Sequence, residues 1–106
     1  LAHRSSRRVF AEQTAEKLQE LLAGVVAEGT GRQAAPSEGT AAGKTGTAQT
    51  GQFRDGEELK NYWFAGFYPA EKPRWTIVVM QDAQTEPEVS SAAVFARLCD
   101  ALSAGE

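Results

Sequence analysis

Two β-prone runs, residues 40–53 and 59–68, stand either side of Arg54-Asp-Gly-Glu57. Asp-Gly is a strong hairpin signal, because the central positions of a tight two-residue turn take positive φ. The two runs are therefore predicted neighbours in an antiparallel sheet. Pro69-Ala-Glu-Lys-Pro73 makes the next connection, and Arg74-Trp-Thr-Ile-Val-Val-Met80 reads as a third strand. The result is a three-stranded meander over residues 40–82.

Helices are expected on both sides of it. Residues 1–13 are a polar lead-in, with Val9 and Phe10 available to dock. Thr14 is placed to cap a helix over 14–28, in which Leu18, Leu21, Leu22, Val25 and Val26 form one apolar stripe. Its Glu/Lys alternation reads as a solvated face, and Gly29 supplies its stop. Residues 29–39 have loop composition. Thr85-Glu-Pro-Glu88 has a capping-box arrangement and opens a helix over 85–104, whose apolar face is Ala92, Phe95, Ala96, Cys99 and Leu102. The fold class is α+β, as one segment over residues 1–106.

This meander leaves a physical problem. Ile77, Val78 and Val79 form a continuous apolar run, which suits a strand paired on both edges and covered on both faces. As the last of three strands it lies at an edge, where exposed apolar surface invites aggregation. A segment outside the chain is expected to pair with it.

Composition narrows the function. A chain of 106 residues holds one small domain, and a net charge of −3 with no basic block beyond Arg4, Arg7 and Arg8 gives nucleic-acid binding no support. One cysteine excludes an internal disulfide, and one histidine, His3, excludes an ordinary His/Cys zinc site. Cys99 reads as a small core hydrophobe. No apolar run is long enough to span a membrane and no signal-peptide pattern opens the chain. The chain begins at Leu1 rather than methionine, which leads to the expectation of a piece of something longer.

The first predicted strand carries Gly39-Thr-Ala-Ala-Gly-Lys-Thr-Gly-Thr-Ala-Gln-Thr50. A phosphate-binding loop needs G-x-x-x-x-G-K-[ST] opening a helix. Here the spacing from Gly39 to Gly43 is one residue short, and the residues after Lys44 are β-branched or glycine. The stretch reads as a strand. On spacing alone Lys44 reads better as a solvent-facing strand lysine, Thr45 and Thr47 as ordinary β-formers, and Trp63, Phe64 and Trp75 as core residues. Gln49 and Thr50 either line a cleft mouth or serve the turn.

Gly43-Lys-Thr-Gly-Thr47, followed at this spacing by Trp63-Phe-Ala-Gly-Phe-Tyr-Pro69 and an apolar strand, resembles the C-terminal part of penicillin-binding transpeptidases. Nearly the whole chain takes part, and AQTG and FYPAEKP look more like class B transpeptidases than β-lactamases. The resemblance implies a serine acyl-transfer enzyme acting on a D-Ala-D-Ala peptide or a β-lactam mimic, with no cofactor. It implies that Lys44, Thr45 and Thr47 receive the substrate carboxylate, through charge-assisted hydrogen bonds at the lysine. Gly46 would let an extended substrate lie against the strand, and the backbone N–H of Thr47 would be an oxyanion-hole donor.

The family's other motifs are missing. None of Ser5, Ser6, Ser37, Ser90, Ser91 and Ser103 is followed three residues later by lysine, and Asn61, the only asparagine, has Leu59 rather than serine two positions before it. Thr14-Ala-Glu-Lys17 mimics T-x-x-K at a helix start. The expectation is therefore a C-terminal segment that completes a five-stranded sheet with an N-terminal remainder bearing S-x-x-K, S-x-N and the membrane anchor, at the extracytoplasmic face of a bacterial membrane. Its partners would be that remainder and a peptidoglycan stem peptide or β-lactam, with no nucleic acid and no membrane contact by the segment. A β-lactamase or β-lactam sensor, and a non-catalytic peptide-binding module, are the alternatives.

Overall fold

The computed structural model describes residues 5–105. Helix α1 spans Glu12–Ala27, a 3₁₀ turn covers Arg32–Ala34, and strands β1, β2 and β3 span Ala42–Arg54, Glu57–Tyr68 and Trp75–Ala83. Helix α2, Ser91–Ala104, closes the order. The sheet is the expected antiparallel meander, β1-β2-β3. Asp55 and Gly56 both have positive φ, 55° and 83°, as a tight hairpin turn requires.

Register sorts the strand residues into two faces. Gly43, Gly66 and Ile77 share one row, and Thr45, Phe64 and Val79 the next. This face meets the helices. Val26, Ala34, Ala41, Phe64, Tyr68, Ala92, Phe95 and Cys99 form the core, with Trp75, Ile77 and Val79 packed against it. Phe64 and Phe95 are fully buried with ring centroids 4.6 Å apart, each contributing on the order of 1.5–3 kcal/mol by burial. Burial first, and the neighbouring Asp100 charge second, push the Cys99 thiol up to about 11, so it stays protonated at neutral pH.

The opposite face carries Lys44, Ala65 and Val78 in one row and Gly46, Trp63 and Met80 in the next. Ala42 at its start is fully buried, but Lys44 and Val78 further along are exposed. Here the expectation for the third strand is corrected: β3 is covered on one face only, alternating along its length, with Val78 65 % and Met80 60 % exposed. Its second edge pairs with no strand among the described residues.

Both helix starts differ from the sequence reading. α1 begins two residues before Thr14, after an extended Ala11 with no side-chain cap. Glu12 in the first turn favours the positive end of the helix dipole. α2 begins at Ser91 rather than near Thr85, capped by Ser90, whose hydroxyl accepts the Ala93 N–H at 3.0 Å. Gln81 on β3 explains the delay. Its amide donates to the Val89 carbonyl and to the Ser91 hydroxyl, each at 3.0 Å, which ties residues 89–91 to the sheet. Leu18 and Leu21 of the α1 stripe are exposed, as are Val9 and Phe10, which do not dock. The stripe meets the core only at its C-terminal end, through buried Val26. His3 and Arg4 lie outside the described residues.

Candidate active site

β1 is an edge strand, and the loop feeding it is tied down from α2. Asp100 accepts the Ser37 N–H at 2.7 Å and the Ser37 hydroxyl at 3.0 Å. The Tyr68 hydroxyl donates to the Glu38 carbonyl at 2.8 Å and lies 2.6 Å from the Ser103 hydroxyl. The Ala70 N–H donates to the Thr40 carbonyl at 2.8 Å. These contacts set where the chain enters the sheet, four residues before Lys44.

Lys44 is exposed on the open face, with Nζ donating to the Thr45 carbonyl at 3.1 Å. Thr45 and Thr47 belong to the rows of the other face, opposite Phe64 and Tyr62. With Gln33, Ser90 and Ser91 they help line a cavity of about 230 Å³ between β1 and the start of α2. The four expected site residues thus sit together along the edge, while the ammonium and the two threonine side chains belong to opposite faces. Among the described residues, no group of three His, Cys, Asp or Glu side chains could hold a metal ion.

Gly46 has a stronger requirement than an open path for substrate. A β-carbon on it would lie 2.3 Å from both Cε2 and Cζ2 of Trp63 and 2.8 Å from Cη2. The glycine is needed because the indole crosses from β2 onto the β1 backbone. Trp63 is not in the core cluster, unlike Phe64. Its position across from Gly46 was hidden in the sequence by a bulge. Arg54 pairs with Glu57 and Phe53 with Glu58, but Gln49 pairs with Lys60. Extra residues on β1 are taken up at Gly51, φ 76°, where the Thr50 hydroxyl donates to the Leu59 carbonyl and the Gly51 N–H donates to Glu58 at 2.9 Å. Thr50 therefore has a structural role here.

The candidate site is thus an edge strand with an exposed lysine and a glycine two residues on, backed by an aromatic central strand. Residues 2–100 match the penicillin binding protein transpeptidase domain, and the chain belongs to that family. It is 40 % identical over 81 residues to stage V sporulation protein D of Bacillus subtilis, covering 74 % of this chain and 12 % of that protein. Identity is also 40 %, over 90 residues, to penicillin-binding protein PbpB of Mycolicibacterium smegmatis, covering 72 % of this chain and 13 % of the relative. Among solved structures, a D,D-transpeptidase domain from Eggerthella lenta superposes with a TM-score of 0.65 at 35 % identity, over 90 % of this chain and 21 % of that one. The transpeptidase domain of FtsI4 from Legionella pneumophila gives 0.67 at 28 % identity, over 88 % and 37 %. The chain thus spans about an eighth of the length of these curated relatives and corresponds to part of a transpeptidase domain.

Proposed function

We propose that this chain is the K-T-G wall of a peptidoglycan D,D-transpeptidase. The observation that carries the reading is Lys44-Thr-Gly-Thr47 on an accessible edge strand, within a chain that matches the transpeptidase domain family over residues 2–100. In this reading a serine hydroxyl on another segment, bearing S-x-x-K and S-x-N, attacks the D-Ala-D-Ala carbonyl. The amide bond breaks, terminal D-alanine leaves with a proton, and the acyl-enzyme passes its acyl group to an amine of a neighbouring stem peptide. Lys44, Thr45 and Thr47 hold the terminal carboxylate. The Thr47 N–H stabilises the oxyanion, a contact whose loss typically costs roughly 10²–10³ in rate. The whole protein would work at the outer face of the membrane with its anchor in the other segment. Among the described residues no helix is long and apolar enough to cross a membrane.

Labelled penicillin should acylate the longer protein containing this chain, and the adduct should persist through a chase with unlabelled drug. Rapid turnover of the adduct would assign the protein to the β-lactamases. No adduct in the intact protein would leave the non-catalytic module as the better reading.

The bare edge of β3 supports the same assembly. A strand of the other segment pairs with Trp75–Ala83, towards a five-stranded sheet, and a helix of that segment covers Val78 and Met80. Amides of residues 75–83 that exchange rapidly in the isolated chain should become protected in the longer protein. Equal, fast exchange in both would contradict this arrangement.

A further inference from the structure

We infer that Trp63 is a positioning residue for the acylation step, setting the backbone from Gly46 to Thr47; the inference rests on the functional reading above. Trp63 occupies the open face of β2, opposite Gly46 and in one row with exposed Met80. It takes no part in the core cluster built by Phe64, Tyr68 and Phe95. What its ring does touch is the site strand. The space a Gly46 β-carbon would occupy lies within 2.3 Å of the indole's Cε2 and Cζ2, so the benzo edge rests directly on the glycine backbone.

That placement matters because glycine has the widest backbone freedom of any residue. Without a lid, Gly46 is the softest point between the ammonium of Lys44 and the N–H of Thr47. The indole removes that softness from the open face, while β2 pairing holds the strand from the side. An oxyanion donor must be in place before charge develops, since reorganising it during the step costs rate. Trp63 thus acts through Thr47 and touches no reacting atom. Displacements of about 1 Å at a reacting centre cost on the order of 100-fold.

The test uses the longer protein and a chromogenic or labelled penicillin, with the acylation rate constant measured separately from the non-covalent dissociation constant and normalised to the labelled fraction. Trp63→Leu removes the ring, and Trp63→Phe keeps an aromatic ring but withdraws the benzo edge. The rate constant per competent molecule is expected to fall about 10- to 100-fold in Trp63→Leu and less in Trp63→Phe, with the dissociation constant nearly unchanged. A purely structural tryptophan would lower the labelled fraction and leave the rate constant alone, which would overturn the inference. Gly46→Ala supplies a second, fold-based readout. It should be destabilising in the parent background and close to neutral added to Trp63→Leu; equal destabilisation in both backgrounds also overturns the inference. Lys44→Ala run alongside separates the two failures. If it slows acylation while both Trp63 variants match the parent, only the positioning role is lost; if it has no effect, the functional reading falls and this inference with it.

Discussion

Gly46→Val lowers the stability of the transpeptidase domain by roughly 3 kcal/mol and abolishes penicillin acylation with it, as read by denaturant midpoint and labelling. The new β-carbon would meet the Trp63 indole at 2.3 Å, far inside van der Waals contact. A flexible chain end could swing aside, but the ring is held at its root by a central strand paired on both edges. Relief must come from moving the indole outward or from parting β1 and β2, and either disturbs the strand that carries Lys44. Overpacking of this kind costs typically 1–3 kcal/mol, and valine adds two branch methyls to the clash. A substrate lying against this glycine, as the family resemblance implies, would by itself give a catalytic loss, whereas a glycine needed by the strand would lose stability and activity together. The geometry ties the two losses together. A Gly46→Val protein with parental stability and no acylation would restore the substrate-path explanation.

Much of this fold is legible in the sequence. Asp55-Gly56 announces its turn because both residues need positive φ, and the aromatic run from Asn61 to Tyr68 announces a strand; the run suits burial on both sides, whereas only the alternate residues Phe64, Gly66 and Tyr68 are buried. What was hidden depends on contacts between segments. The bulge at residues 50–52 has no reliable local signature, yet it moves Gly46 from the partner that counting back from the turn would give, Ala65, to Trp63. The start of α2 was misplaced because the Thr85/Glu88 pattern competes with hydrogen bonds from Gln81, distant in sequence and adjacent in space. The candidate site was legible as a motif only. Lys44, Thr45, Gly46 and Thr47 are contiguous, but which face each side chain belongs to follows from pairing. Ile77–Val79 posed the opposite problem: the run reads as doubly covered, and within this chain it has one covered face. That mismatch is the physical mark of a surface made for the rest of a domain.

Acylation of the Lys44→Ala protein tests most directly whether this strand receives the substrate carboxylate. Lys44 is exposed on an edge strand, and its Nζ bonds only as far as the adjacent Thr45 carbonyl in the described contacts. Its removal should therefore change folding stability by no more than about 0.5 kcal/mol. A charge-assisted bond to a substrate carboxylate in a closing cleft contributes about 1.5–3 kcal/mol, which corresponds to a loss of roughly 10- to 100-fold in the acylation efficiency of the longer protein. Lys44→Arg keeps the charge but not the compact ammonium and should recover only part of it. Acylation should be slow in a Lys44→Ala protein of parental thermal stability. Parental acylation in Lys44→Ala would contradict it.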